Sequence, residues 1–390
     1  MIEPVLLDTS NRKADAVGTE FEVVKDESGG VADVRRIIAF VGAAYFLIMT
    51  AWVVPVACVC TVSIVFLLIP INMKWFNIIE HKLCSLVSAH WNACSVYCGA
   101  QVTEYGDDIE KLSEKRCLLL ANHLGLLDHF VLMQSLNNKG SVRSRWMWVI
   151  YNIWKFTPLG IMWSSHGNYF VNGGAAQRQR LLDDFRKHLS TVFHKFNMGW
   201  VLMYPEGSRL FLVKESGKKF AEKNGLEPLT HCVYPRTGAA HAVLGTLGPK
   251  ADDTSMSLCG AGGPVEYIID ATIGYSKGIV PNIGDAMMGD WPTDDSQRFA
   301  IHYEAIPVKP EWADEEKLKE FLYDRYIKKD KLLADFYEKG QFEGPSKKVV
   351  PNNVEMFLVE IFWIVAYYFH YTMIIRPVLS YLFYFILSLF

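Results

Sequence analysis

The chain has little excess charge of either sign. Its formal net charge is −3 over 390 residues, which removes nucleic acid from the expected partners. Paired cysteines are also lacking. Cys58, Cys60, Cys84, Cys94, Cys98, Cys117, Cys232 and Cys259 show no disulfide-framework spacing, and several fall in apolar runs. They read as buried thiols of a reducing compartment. No charged-then-apolar leader opens the sequence, and no internal repeat is visible. The most informative absence is of charge between Ile37 and Met73, where no ionisable side chain stronger than a thiol or phenol occurs.

What is present leans toward lipid. Hydrophobic residues make up 51% and aromatics 13%, both high for a soluble enzyme. The chain divides into an acidic, disordered tail (1–34), an N-terminal membrane stretch (35–75), a catalytic-sized domain (76–345) and a C-terminal membrane or interfacial stretch (354–390). A straight helix over 37–73 would run about 55 Å, beyond the ~30 Å apolar core of a bilayer. Pro55 splits the run, so two readings stand: a hairpin turning near Pro55, or one long helix continuing along the interface. Arg35 and Arg36 before the run, with Lys74 and Lys82 after it, suit both ends on one cytosolic face. At the other end, 361–375 and 377–390 are apolar, divided by Arg376-Pro377, and short for full crossings.

Between these ends, strands are expected at 117–121, 167–171, 200–204, 231–234, 267–275 and 299–308, and helices at 126–136, 175–196, 210–223 and 314–339. Residues 251–263 read as a loop. Alternation of this kind predicts an α/β fold with a central mixed sheet flanked by helices.

Two motifs carry chemistry. In Ala121-Asn122-His123-Leu124-Gly125-Leu126-Leu127-Asp128, His123 precedes Asp128 by five positions. On a regular helix that spacing turns the side chains about 140° apart. They converge only if His123 lies in the loop after a strand and Asp128 in the first turn of the next helix. A satisfied loop histidine beside a capping aspartate is the plain alternative. His129 adds a third ligand type, yet no second His/Cys cluster at ligand spacing accompanies it, so no metal is expected. The second motif is Tyr204-Pro205-Glu206-Gly207-Ser208-Arg209, a strand end running into a Pro-x-Gly turn. Such a turn brings polar side chains to the sheet rim. Arg209 is a permanently charged fork suited to phosphate, and Ser208 with the turn amides adds donors. A surface turn with an internal Glu206–Arg209 pair is the plain alternative here.

Together the motifs resemble the glycerophospholipid acyltransferase family, whose boxes read Asn-His-x-x-x-x-Asp and Pro-Glu-Gly-(Thr/Ser)-Arg. The resemblance runs over roughly residues 100–340. Gly167-Asn168-Tyr169-Phe170-Val171 resembles the family's middle block and Val233-Tyr234-Pro235 its late block. Lys155-Phe156-Thr157, Ala221-Glu222-Lys223-Asn224-Gly225 and Pro235-Arg236-Thr237-Gly238-Ala239 are most similar to the lysophosphatidylglycerol acyltransferase branch. One departure stands out. Where the middle block commonly carries Arg, this chain has Asn172-Gly173-Gly174, with Arg178 and Arg180 as substitutes.

The resemblance implies a membrane-bound enzyme that moves an acyl group from coenzyme A to a free hydroxyl of a lysophospholipid. No cofactor is implied, acyl-CoA being a co-substrate. His123 would be the general base, oriented by Asp128. Asn122, Glu206, Gly207, Ser208, Arg209 and Arg236 would bind substrate, with Arg209 on phosphate, Glu206 orienting it or the glycerol hydroxyl, and amides near Gly207 meeting the oxyanion. Lys218 and Lys219 are candidates for the coenzyme A phosphates. The acceptor is open among lysophosphatidylglycerol, lysophosphatidylethanolamine, lysophosphatidylinositol, lysophosphatidic acid and monoacylglycerol; a lipid hydrolase using the same His/Asp is the more distant alternative. The endoplasmic reticulum membrane, with a cytosol-facing catalytic domain, is the expected location. No oligomeric state is implied.

Overall fold

The computed structural model describes residues 29–171, 177–249, 263–293 and 295–388. The acidic tail up to residue 28, the departure at 172–174, most of the 251–263 stretch and Cys259 lie outside them. In chain order the elements are α1 (Gly29–Leu68), α2 (Met73–Tyr97), β1 (Gln101–Gly106), β2 (Cys117–Ala121), α3 (Leu127–Leu136), β3 (Trp146–Tyr151), α4 (Pro158–His166), β4 (Tyr169–Val171), α5 (Arg178–His188), β5 (Trp200–Met203) and α6 (Leu210–Lys223). There follow α7 (Gly238–Leu247), β6 (Tyr267–Tyr275), α8 (Ile283–Met287), β7 (Arg298–Pro307), α9 (Glu315–Lys339), β8 (Ser346–Lys348), α10 (Asn353–His370) and α11 (Arg376–Leu387).

The strands form one eight-stranded sheet in the order β4-β3-β5-β2-β6-β7-β1-β8. From β4 to β6 every pair is parallel; β6–β7 and β1–β8 are antiparallel. The expected mixed sheet flanked by helices is therefore what forms. Its centre, β2, reads Cys-Leu-Leu-Leu-Ala and is buried on both faces, as a parallel strand covered by helices on both sides must be. Leu119 and Ala121 pack toward α3, whereas Leu118 and Leu120 join Phe185, Val243 and Leu322 from α5, α7 and α9. A buried charge cluster pins α9 to the sheet. Lys329 meets Asp270 at 2.7 Å, and Arg325 bridges Asp270 and Glu304.

Of the two readings of the N-terminal stretch, the single long helix forms and the hairpin at Pro55 does not: α1 runs through Pro55 unbroken, and the chain reverses at residues 69–72, where the Asn72 side chain caps α2 by accepting from Lys74 and Trp75 amides. Arg376-Pro377 does not divide the C-terminus either. A π-turn at Tyr371–Ile375 joins α10 to α11 in one helical rod, with Pro377 directly after it. Two stretches, Arg36–Leu68 and Asn353–Leu387, are long and apolar enough to cross a membrane. α1, α2 and α10 are tied by one polar network. His90 Nδ1 meets Glu360 Oε1 at 2.7 Å, Tyr45 donates to Glu360 Oε2 at 3.0 Å, and Thr50 Oγ1 lies 3.0 Å from His90 Nε2.

Candidate active site

Parallel strands deliver their carboxyl ends to one edge, and ligands of such sheets gather there. β5, β2 and β6 are neighbours in the sheet, so Tyr204, His123 and Tyr275 come together at that rim. His123 lies in the loop after β2 and Asp128 in the first turn of α3, as the five-residue spacing requires. His123 Nδ1 stands 2.8 Å from Asp128 Oδ2. The same oxygen accepts from the Leu124 amide at 2.6 Å and the Gly125 amide at 3.0 Å. Tyr275 donates its hydroxyl to Asp128 Oδ1 at 2.5 Å. Asp128 is thus fully buried yet satisfied four times over.

This arrangement sets the imidazole's tautomer. A carboxylate only accepts, so Nδ1 carries the proton and Nε2 presents its lone pair outward. The His123 side chain retains 20% exposure. Its ring is held flat against Tyr204, centroids 4.2 Å apart at 15°. The site can therefore take a proton at Nε2 and shelter the resulting cation beside a buried carboxylate. His129 is turned away and packs against Trp148, centroids 4.2 Å apart. Burial, with a smaller contribution from His123, lowers its pKa to about 4 and keeps it neutral.

The second motif meets the first through the backbone. The Leu210 amide donates to His123 O at 2.7 Å, and the His123 amide donates to Glu206 Oε1 at 3.0 Å. Glu206 is buried, and burial pushes its carboxyl well above the usual range. The expectation that Glu206 orients Arg209 is thus corrected. Its carboxyl turns inward beneath His123, and it forms no ion pair with Arg209. Asn122 is corrected likewise. Fully buried, it donates to Ile273 O at 3.0 Å and accepts from the Ile273 amide at 2.7 Å. It extends the β2–β6 pairing by one side chain and fixes where His123 leaves the sheet.

Gly207 has φ +79°, a left-handed conformation that glycine adopts at no steric cost. Its amide donates to Tyr204 O at 3.0 Å. A Cβ there would lie 3.2 Å from Arg236 Cδ, Nε and Cζ, which shows the Arg236 side chain laid across the turn. The Arg236 amide donates to Pro205 O at 2.7 Å, fastening the late block to the Pro-Glu-Gly turn. Arg236 is exposed, while Ser208 and Arg209 are half-buried. The Arg209 guanidinium stands 5.0 Å from the centre of the Phe211 ring. Of the two substitutes for the middle-block arginine, Arg178 reaches this neighbourhood: its Nη2 lies 3.2 Å from where a Cβ on Gly238 would stand. Arg180 instead pairs with Asp184 at 3.9 Å on an exposed face. Lys218 and Lys219 are exposed on α6.

Sequence reasoning gave no role to Tyr204 or Tyr275. The available signal was positional: each stands at or just past the carboxyl end of a strand that neighbours β2. An apolar cavity bounded by Leu127, Phe130, Trp91 and Trp291 runs along the other side of α3.

A rim-mounted His–Asp pair joined to an arginine-bearing turn suits group-transfer chemistry, and the comparisons assign the chain to a family of group-transfer enzymes. Residues 102–255 match the family described as Acyltransferase, and residues 294–363 that described as Acyltransferase C-terminus. A Caenorhabditis elegans protein named "Putative 1-acyl-sn-glycerol-3-phosphate acyltransferase acl-12" is 61% identical over 97% of this chain and 97% of its own length. The acyl-CoA:lysophosphatidylglycerol acyltransferase 1 of Homo sapiens is 29% identical over 84% of this chain and 92% of its own. That of Mus musculus is 30% identical over 81% and 88%. The chain belongs to the lysophospholipid and glycerolipid acyltransferase family and is an acyltransferase.

Proposed function

We propose that the chain transfers an acyl group from coenzyme A to the free glycerol hydroxyl of a lysophospholipid, with lysophosphatidylglycerol as the preferred acceptor. His123 Nε2 takes the hydroxyl proton as the oxygen attacks the thioester carbonyl. Asp128, held by Tyr275 and two loop amides, keeps the imidazole in its accepting tautomer and stabilises the imidazolium. The same proton then leaves with the coenzyme A thiolate. A positioned base of this kind contributes about 10²–10⁴ in rate. The nucleophile is the substrate's own oxygen, so no enzyme side chain is acylated.

Arg209 and Arg236, brought to one turn across Gly207, hold the acceptor's phosphate. The observation that carries this reading is the 2.8 Å His123–Asp128 contact at a rim shared with those arginines. Lysophosphatidylglycerol is favoured by the name of the human and mouse relatives, and lysophosphatidic acid by that of the Caenorhabditis elegans relative. Location in the endoplasmic reticulum membrane, catalytic domain toward the cytosol, fits a reducing cysteine pattern and the apolar ends.

The test is a panel of lysophospholipids assayed with labelled acyl-CoA on purified full-length protein. Lysophosphatidylglycerol should give the highest kcat/KM, and omission of acyl-CoA should abolish product. Product without acyl-CoA would make the chain a hydrolase, and a stronger response to lysophosphatidic acid would reassign the acceptor. Arg209→Ala should raise KM for phosphate-bearing acceptors well beyond any effect on monoacylglycerol. An equal loss for both takes Arg209 off the phosphate.

A further inference from the structure

The loops and helix starts that follow the carboxyl ends of the parallel strands around His123 carry large, exposed apolar side chains. After β3 come Ile153, Trp154 and Phe156, the first 71% and the last 86% exposed. Past β5 come Phe211, 65% exposed, and Leu212; after β2 comes Leu126. Large apolar groups clustered on one edge mark an interaction surface. The β3 segment is also rigidly held. Thr157 donates to Trp154 O at 2.7 Å and accepts from the Gly160 amide at 3.1 Å. A Cβ on Gly160 would strike the Trp154 carbonyl, so the turn is clamped onto α4.

Two observations say what covers this collar. The first is continuity with the apolar helices. Leu159, Met162 and Trp163 of α4 share one cluster with Val53 and Val56 of α1 and Val359 of α10. The collar therefore begins where the candidate membrane helices are anchored. The second is charge. Between Trp146 and Gln177 no acidic residue occurs, and Lys155 is the sole Lys or Arg. Aromatic and aliphatic side chains around a single lysine in this segment, with the Arg209 guanidinium beside Phe211 in the next, match the interfacial layer of a bilayer bearing anionic lipid.

We propose that this collar inserts into the bilayer interface as an attachment made by the catalytic domain itself, separate from α1 and the α10–α11 rod. It presses the mouth of the site against the headgroups. A lysophospholipid and an acyl chain then reach His123 by lateral movement, without crossing water.

The full chain is reconstituted in phosphatidylcholine–phosphatidylglycerol vesicles with an environment-sensitive fluorescent amino acid replacing Phe156. A second protein carries it in place of Lys111, which precedes β2 at the opposite edge of the sheet. The probe at 156 should shift to the blue and be quenched by lipids spin-labelled at carbon 5, not by aqueous iodide; the probe at 111 should behave the opposite way. Iodide quenching at 156 overturns the proposal. So does protection from both quenchers, the mark of a protein partner on this face. A second measurement rests on the acceptor reading above, whereas the fluorescence does not. The Trp154→Asp/Phe156→Asp variant should lose tenfold or more in rate with a long-chain acceptor in vesicles, yet stay within twofold on a short-chain acceptor dissolved as monomer. Equal loss in both arms, or loss in neither, also overturns it.

Discussion

At the scale of single residues, the site is two carboxyl groups with opposite duties. Asp128 is buried with four hydrogen-bond donors around it, so its charge is supported from within. Glu206 is buried with the His123 amide on one oxygen and no partner on Oε2 among the described residues. Burial, with a smaller contribution from the nearby Asp128, raises its pKa, since the charged form loses water without gaining equivalent donors. The sign of its linkage follows. An unfolded Glu titrates near ~4.3, so the folded protein holds this proton at pH values where the unfolded chain has released it. Its favourable contribution is complete below that value and disappears as pH rises through the higher folded pKa. Glu206→Gln keeps an acceptor for the His123 amide and removes the titration. The variant should therefore lose less stability than the wild type between pH 5 and pH 8, as read from thermal unfolding at each pH. Parallel curves would show that Glu206 is charged in the folded state.

At the scale of elements, the parts legible in the sequence were those whose character is local. β2, β6 and α6 begin and end where expected, because each is an apolar run or amphipathic stretch between strong breakers. The His123–Asp128 convergence was legible for the same reason: a strand–loop–helix was the only geometry that let the spacing work. Elements decided by tertiary contact were not. α2 carries Lys74, Glu80, His81 and Lys82 and shows its packing face only once α1, α3 and α10 are in place. A strand expected at 231–234 does not form. The amides of Thr230, His231 and Cys232 all donate to Asp330 Oδ1 of α9, at 3.0, 2.6 and 3.2 Å, and so have no sheet to join. The inward turn of Glu206 was equally hidden, since nothing in Pro-Glu-Gly says which way a carboxyl points. The turn itself yields a prediction. Gly207→Ala places a Cβ at φ +79°, costing about 1–2 kcal/mol, and crowds Arg236 at 3.2 Å. KM for the phospholipid acceptor should rise while the protein stays folded. An unchanged KM would separate Arg236 from substrate binding.

At the scale of the whole molecule, an α/β domain with its chemistry at one sheet edge is joined to long apolar helices by a polar clasp. Glu360 on α10 holds His90 on α2 and Tyr45 on α1, all far from His123 in sequence. Truncating Glu360 leaves His90 and Tyr45 without their buried hydrogen-bond partner, at a cost of about 1–3 kcal/mol for each group left unsatisfied. Glu360→Ala should thus lower the thermal midpoint of the detergent-solubilised protein by several degrees or more. Activity per folded molecule should be nearly unchanged, since the clasp touches no site residue. A loss of kcat without a loss of stability would place the clasp in catalysis.

The proposed mechanism rests on one imidazole, and one measurement reaches it most directly. Steady-state transfer by His123→Ala, assayed as the full chain in membranes with a phospholipid acceptor and acyl-CoA, should show kcat lowered by about 10²–10⁴, with expression and membrane association intact and acceptor KM little altered. A variant that keeps kcat within a few-fold of the wild type would mean that the proton leaves the attacking hydroxyl by another route.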